Sequence, residues 1–156
     1  MSTDLIDRPI TNENSFSGET AAFCTDDAPY FGIDIPFMRY LGLRAEHIRD
    51  GYARARLPVN SNLVNSRQDT HGGTMMSVLD FIMSAAARGH APLDVGVVTI
   101  EMSTHFLAVA RGELVFEGRI IRRGRSTAFC EGEVTDAAGT KVCISRATFR
   151  LIDRNK

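Results

Sequence analysis

The chain has 156 residues, of which 44% are hydrophobic and 24% are charged. This length and composition are typical of a single globular domain with one buried core. The 18 Lys and Arg residues nearly balance the 19 Asp and Glu residues, so no global charge favours nucleic acid or an anionic membrane surface as a partner. The three cysteines lack the spacing of a zinc site or of a disulfide framework, and neither is expected.

The N-terminal stretch predicts an arm and not a targeting signal. It contains acidic residues and no apolar run of the kind that a secretory signal needs, and no later stretch approaches the roughly 20 apolar residues of a membrane span. A cytoplasmic protein is therefore expected. Residues 1–28 are polar and without periodicity, which predicts a flexible arm, and residues 29–156 are expected to form one domain.

The first half of the domain contains two helix patterns and one strand pattern. Apolar residues recur every three or four positions from Ile33 to Leu43, which predicts a short helix that ends at Gly42. Alternation from Tyr52 to Val59 predicts a half-buried strand. A polar loop then leads into 74–89, a helix that is apolar nearly all round and is therefore expected to be buried on most sides.

Four strand patterns follow, near 95–107, 112–123, 126–136 and 140–152, with short Gly-containing links between them. Such links predict that successive strands pair as antiparallel hairpins. One long apolar helix and one curled antiparallel sheet predict an α+β fold in which the sheet wraps round the helix. Strict alternation predicts these core-facing residues: Val98, Ile100, Met102 and Phe106; Leu114, Phe116, Gly118 and Ile120; Ala128, Cys130, Gly132 and Val134; Cys143, Ser145, Ala147, Phe149 and Leu151.

Asp80 is the most unusual residue of the apolar helix. An ionised carboxylate among Met, Val, Leu, Phe, Ile and Ala side chains is unfavourable unless it has a partner or a function. The structural explanation is hydrogen bonding with Ser77 and Ser84, which lie on the same helix face. The functional explanation is a catalytic carboxylate.

The residues His71, Gly72 and Gly73 stand where the polar loop becomes the helix. Glycines at this point let backbone N–H groups approach a ligand oxygen, and the helix N-terminus adds partial positive charge. This combination is typical of an oxyanion hole. A tight turn with a structural histidine is the alternative for each feature taken by itself.

Together these residues carry a family resemblance. Asn65, the HGG sequence at 71–73 and Asp80, nine residues after the histidine, resemble the signature of hotdog-fold acyl-CoA thioesterases of the PaaI-like, phenylacetic acid degradation type. The resemblance extends over residues from about 35 to 152. It implies an antiparallel sheet wrapped around a long central helix, and hydrolysis of acyl-CoA without a cofactor, since coenzyme A is part of the substrate.

The resemblance also implies roles for single residues. Asp80 corresponds to the general base or nucleophile, and Gly73, with Gly72 beside it, corresponds to the amide that polarises the thioester carbonyl. His71 and Asn65 correspond to groups that organise the loop and the attacking water.

Thr99, 19 residues after Asp80, corresponds to a Ser or Thr that helps hold this water. The resemblance places each site across a homodimer interface, with Asp80 and Thr99 of one chain facing Asn65, His71 and Gly73 of the other. It further implies that two copies form one continuous sheet and that dimers often join as tetramers.

Arg122, Arg123 and Arg125 lie on one predicted hairpin, which the resemblance places near the nucleotide end of coenzyme A. Arginines are suited to binding its phosphates, whereas a solvated turn that keeps the sheet edge soluble is the alternative. His105, on a predicted strand with Glu101, is interpreted as an interface or surface residue.

Three other functions fit parts of the pattern. A hotdog hydratase or dehydratase would need a histidine and an acid at the α and β carbons of an acyl chain. A non-catalytic acyl-CoA-binding module could use the same loop, and so could a structural oligomer without a ligand. The acyl group stays open between aryl, short-chain and medium-chain groups, with Phe81, Met83 and Met76 as candidate lining residues.

Overall fold

The structure is a computed structural model that describes residues 24–155. Most of the predicted N-terminal arm, residues 1–23, therefore lies outside the described residues. Within residues 24–155 no helix is long and apolar enough to cross a membrane. The elements are α1 (Pro36–Leu41), β1 (Arg44–Arg49), β2 (Tyr52–Leu57), a 3-10 turn (Ser61–Leu63), α2 (Gly72–Arg88), β3 (Val95–Phe106), β4 (Leu114–Arg123), β5 (Thr127–Asp136) and β6 (Lys141–Asp153).

The predicted short helix is confirmed, and it ends at Gly42, which adopts the left-handed conformation with φ 73°. The strand that follows it, β1, was not predicted. Its sequence RAEHIR buries one side chain, that of Ile48, so it lacks the alternation by which a strand is recognised.

The six strands form one antiparallel sheet in the order β1-β2-β4-β5-β6-β3. The β4–β5 and β5–β6 hairpins are confirmed, as is the packing of the sheet on the long helix. The predicted β3–β4 hairpin is wrong, because β3 pairs with β6 at the far edge. The seven linking residues 107–113 can extend over roughly 23 Å, whereas three strand spacings amount to about 14 Å, so the link is long enough to cross the sheet.

Glycines let α2 lie close to the middle of the sheet. A Cβ atom at Gly118 would stand 2.6 Å from the carbonyl oxygen of Ile82, and one at Gly132 would stand 3.0 Å from side-chain atoms of Leu79 and Met83. Even a methyl side chain at either position would therefore push the helix away from the sheet.

The predicted core face is confirmed on the last three strands, where the following residues are buried: Leu114, Phe116, Ala128, Cys130, Val134, Cys143, Ser145, Ala147 and Phe149.

The core face predicted for β3 is wrong at Val98 and Ile100, which are 51% and 61% exposed. A β-bulge between Thr99 and Glu101 shifts the alternation by one residue. Thr99 is therefore on the helix side of the sheet and Val98 on the outer side. Phe106 does lie on the helix side but is 50% exposed, because it stands at the end of the strand.

Arg88 at the end of α2 is buried, which the sequence analysis did not anticipate. Its guanidinium donates hydrogen bonds to the carbonyl oxygens of Tyr30 (3.1 Å), Phe31 (3.4 Å) and Pro92 (2.5 Å), and burial lowers the pKa of Arg88 to about 10. The rings of Tyr30 and Phe31 pack on Phe81 with centroids 5.9 and 6.0 Å apart. This segment holds α2 from one side and covers Phe81, which was a candidate pocket residue.

Candidate active site

His71 caps the N-terminus of α2. Its Nδ1 accepts a hydrogen bond from the Gly73 N–H at 2.9 Å, so in the neutral ring the proton is on Nε2. The predicted oxyanion donor, Gly73, is therefore already bonded within its own chain. The Gly72 N–H forms no hydrogen bond with residues 24–155, as expected for the first residue of a helix, and it is the amide that is available to a ligand.

The loop before the helix is held closed by Asn65. The Asn65 Oδ1 accepts hydrogen bonds from the backbone N–H groups of Arg67 at 2.8 Å and Asp69 at 3.2 Å. Asp69 is buried and accepts a 2.6 Å hydrogen bond from the Arg111 Nε. Sequence reasoning missed the Asp69–Arg111 pair, since the two residues are 42 positions apart and no local pattern links them.

Asp80 meets Thr99 in the middle of α2. The Thr99 Oγ1 donates a 2.7 Å hydrogen bond to the Asp80 Oδ1, and Asp80 is half-buried. The Oδ2 accepts no hydrogen bond from the described residues. The structural explanation for Asp80 is wrong, because Ser77 and Ser84 donate instead to the main-chain carbonyls of Gly73 and Phe81 on their own helix.

The surface between α2 and β3, from Gly72 and Phe106 to Asp80 and Thr99, is here called the groove, and its two ends differ. At one end the Thr99–Asp80 contact joins the strand and the helix. At the other end the Phe106 ring lies against Gly72, with its atoms 3.2–3.8 Å from the place of a Cβ. Between these contacts the helix side consists of residues that are not fully buried: Gly73, Met76 and Ser77.

The two ends of the groove are too far apart to act on one bond. Gly72 and Asp80 are eight residues apart on one helix, which corresponds to about 12 Å. An oxyanion donor must lie roughly 2.7–3.1 Å from the oxygen that it stabilises, and a general base needs similar proximity to its water. Within one chain, the Asp80 carboxylate and the Gly72 amide cannot serve the same carbonyl group.

A cavity of about 60 Å³ lies beside the loop and apart from this groove. Its wall includes Leu57, Leu63 and Thr70 and contains neither Asp80 nor Gly72. At roughly 10–15 Å³ of cavity volume for each water, the cavity has room for a few waters. Because Asp80 and Gly72 are absent from its wall, it is not part of the candidate site.

The predicted phosphate-binding arginines lie on the β4–β5 hairpin. Arg123 forms two hydrogen bonds to the Asp50 carboxylate, at 2.8 and 3.3 Å, and they lower the pKa of Asp50. Arg122 and Arg125 are exposed, with no carboxylate within 4.0 Å among the described residues. Asp50 adjoins Arg49, whose carbonyl oxygen lies against Gly89 after α2, so within one chain the hairpin is at the opposite end of the helix from His71.

Comparisons with known proteins agree with this fold. A family model described as the thioesterase superfamily matches residues 68–143. A protein of Halobacterium salinarum named "Putative esterase" is 30% identical over 129 residues, covering 76% of this chain and 85% of the relative. A protein of Thermoplasma volcanium with the same name is 30% identical over 113 residues, covering 72% and 83%.

Solved structures show the same architecture. A conserved protein from Pseudomonas aeruginosa matches with a TM-score of 0.73 and 27% identity, over 76% of this chain and 95% of that one. The E. coli PaaI protein from the phenylacetic acid degradation operon matches with a TM-score of 0.71 over 76% and 86%, and at 19% identity this likeness concerns the fold alone. The chain therefore belongs to the thioesterase superfamily and has the hotdog fold.

Proposed function

We propose that the protein hydrolyses acyl-CoA thioesters to free acid and coenzyme A, at a site that two copies of the chain form together. Membership in the thioesterase superfamily supports hydrolysis of thioester or ester bonds in general. The observation that carries the finer proposal is the groove. It holds a carboxylate with one oxygen oriented by Thr99 at one end, and an unbonded amide at a helix N-terminus at the other.

A second copy brings these two groups together. β3 is a sheet edge of 12 residues, and a free edge can pair with another strand. If two copies pair antiparallel through β3, a two-fold axis relates them, and the grooves of the two copies run in opposite directions. Asp80 of one chain then approaches the partner's Gly72, and two equivalent sites result.

The groups then have complementary tasks. The thioester carbonyl oxygen accepts a hydrogen bond from the Gly72 N–H, and the positive end of the helix dipole stabilises the charge that develops there. Asp80 of the other chain removes a proton from a water as its oxygen attacks the carbonyl carbon. When the C–S bond breaks, the proton passes from Asp80 to the departing sulfur, so acid and thiol are released and the carboxylate is restored.

Asp80 can also attack the carbonyl carbon directly, which breaks the C–S bond, releases the coenzyme A thiolate and leaves an anhydride. Water then hydrolyses the anhydride to the acid and the restored carboxylate, and the proton released in this step goes to the thiolate. Label on Asp80 after a single turnover in ¹⁸O-labelled water would identify the anhydride route. Direct attack by water leaves the Asp80 carboxylate unlabelled and gives labelled acid. Hydrolysis of an anhydride at the Asp80 carbonyl puts the label on Asp80, which mass spectrometry of the peptide detects.

The other functional residues have supporting roles in this proposal. Asn65 and His71 hold the loop and the first helical turn in place. Arg122 and Arg125 are free to contact the phosphates of coenzyme A, whereas Arg123 is already bonded to Asp50. Dimer or tetramer assembly, the lack of a cofactor, the cytoplasmic location and the acyl preference stay predictions.

The test is thiol release from a panel of aryl, short-chain and medium-chain acyl-CoA esters. Wild type should hydrolyse at least one ester, and Asp80→Asn should lower kcat by about 10²- to 10⁴-fold, as expected for loss of a general base. Asp26→Asn, which changes an exposed acid in the same way, is the matched control. A folded wild-type oligomer that binds coenzyme A but releases no thiol from any ester would contradict the proposal and favour the non-catalytic binding module.

A further inference from the structure

The free edge of β3 determines how two copies can pair. We infer that Ser103 lies on the two-fold axis of a β3–β3 pair, so that His105 of each copy stands opposite the partner's Glu101. The inference rests on the proposed function in one respect, namely that Gly72 and the partner's Asp80 form one site. The backbone hydrogen-bonding groups and the charges of β3 restrict the register independently of that function.

The positions of the two ends of the groove set the register, and the residues opposite them on β6 give their levels along the strand. Thr99, which contacts Asp80, stands opposite Phe149, and Phe106, which contacts Gly72, stands opposite Cys143. If Phe106 is to lie opposite the partner's Thr99, the axis must pass midway between these two levels. The residue of β3 at that midpoint is Ser103. Counting along β3 alone would miss it, because the bulge adds one residue.

The backbone groups of β3 permit this register. The Leu107 N–H donates to the carbonyl oxygen of Val142, the residue before Cys143. The backbone N–H and C=O groups of successive residues point to opposite sides of a strand. After the bulge, those of the odd-numbered residues therefore point towards β6, and those of Met102 and Thr104 point towards the free edge. An axis at Ser103 pairs Met102 with the partner's Thr104, so both residues present their N–H and C=O groups to each other. If the axis passed between two residues, a residue whose N–H and C=O groups face the free edge would stand opposite a residue of the partner whose groups are already bonded to β6.

The charges of β3 select the same register. Glu101, Ser103 and His105 are all exposed and lie on the outer face of the strand. With Ser103 on the axis, each Glu101 faces the partner's His105, and the imidazole can donate a hydrogen bond to the carboxylate. An axis moved to Met102 or Thr104 places Ser103 opposite Glu101 or His105 and loses both pairs. This self-complementarity identifies a second copy of the chain as the partner.

Cross-linking tests the register directly. Around the axis, Ser103 and the partner's Ser103 form a pair without backbone hydrogen bonds, with Cα atoms about 4.5 Å apart, which is within the range of a disulfide. Ser103→Cys, in the full chain with Cys24→Ser, should give a disulfide-linked dimer on mild oxidation. Cys130 and Cys143 are buried and are expected to stay unreacted.

The neighbouring positions provide the controls. Glu101→Cys alone and His105→Cys alone should not cross-link, because equal positions on the two strands would be about 13 Å apart. A mixture of Glu101→Cys chains with His105→Cys chains should cross-link after subunit exchange. Cross-linking of Met102→Cys or Thr104→Cys, with Ser103→Cys left uncoupled, would overturn the register.

Charge changes give a second, independent readout. Glu101→Lys should weaken the dimer by about 2- to 30-fold in Kd, measured by sedimentation, because two cross-strand pairs are lost, and the exchange of Glu101→His with His105→Glu in one chain should restore it. Thiol release is measured on the same proteins. An active wild type whose Ser103→Cys variant does not cross-link overturns the register alone. A cross-linked dimer inactive on every ester supports the register and overturns the proposed hydrolysis.

Discussion

The two edges of the sheet are built differently. The β1 edge has six residues and a bulge between Ala45 and His47, and its Glu46 forms ion pairs with Arg54 and Arg56 on the next strand. Short, charged and bulged edges resist pairing with other chains. The β3 edge has 12 residues, exposes apolar side chains and forms no ion pair with residues 24–155.

The difference supports the β3 edge as the place of the proposed partner and of the proposed shared site. Only the β3 edge also forms a wall of the groove, through Thr99 and Phe106. Pairing at this edge would therefore bury the exposed Val98 and Ile100 near a second chain and complete the two ends of the groove. Pairing at β1 would bring no residue of a second chain to either end of the groove. Variants at the two edges should accordingly have very different effects.

The largest effect is expected from Thr104→Pro. Proline removes an N–H that faces the free edge and leaves the ladder with β6 in place, so the dimer should dissociate and kcat/KM should fall by about 100-fold or more, in line with the loss of a shared catalytic group. Sedimentation, circular dichroism and thiol release measure these changes.

Two controls accompany this variant. Thr104→Val removes the hydroxyl that lies 3.0 Å from the Ser145 Oγ but keeps the N–H, and Arg44→Glu alters the β1 edge. Both should stay dimeric and active. Full activity in a monomeric Thr104→Pro protein would show that the two edges do not differ as described.

Thr99→Val should have the next largest effect. The change removes the hydroxyl that orients Asp80 and keeps the shape of the side chain, so kcat should fall by about 10- to 100-fold with the dimer intact. Thr99→Ser should retain most of the activity, because it keeps the donor. Equal loss in the serine variant would argue against a positioning hydrogen bond.

His71→Ala should lower the free energy of unfolding by about 0.5–2 kcal/mol, as for other N-cap residues. Urea denaturation measures this change, and His90→Ala, an exposed residue beyond the other end of α2, is the control with an expected change within about 0.5 kcal/mol. Activity should fall as well, since the turn that presents the Gly72 amide is loosened. An unchanged unfolding midpoint would contradict the cap.

The smallest effects are expected on the arginine hairpin. Arg122→Ala and Arg125→Ala should raise KM for acyl-CoA by a few-fold, about 1 kcal/mol or less for each exposed contact, and more so at low salt. Arg123→Ala should have less effect on KM because its guanidinium is held by Asp50. Esters of the same acyl group with a thiol that lacks phosphates provide the control and should be unaffected.

The buried part of the molecule was predictable from local patterns. Alternation identified the core face of β4, β5 and β6, and the apolar pattern of α2 placed it in the core. The bulge in β3 was not predictable from alternation, since one extra residue in a strand leaves no mark in composition. The same shift explains why Thr99 faces Asp80, although strict alternation turns it outward.

By itself, the sequence determined the family pattern, the buried helix with its single acid and the small residues against which that helix packs, because these depend on residue type and spacing. The tertiary structure alone decided which amide is available, because the His71 ring occupies the Gly73 N–H and leaves that of Gly72. It also decided that β3 lies at the outer edge of the sheet, beside β6 and not beside β4. Hydrogen bonds and strand order depend on contacts between distant residues, and no local pattern records them.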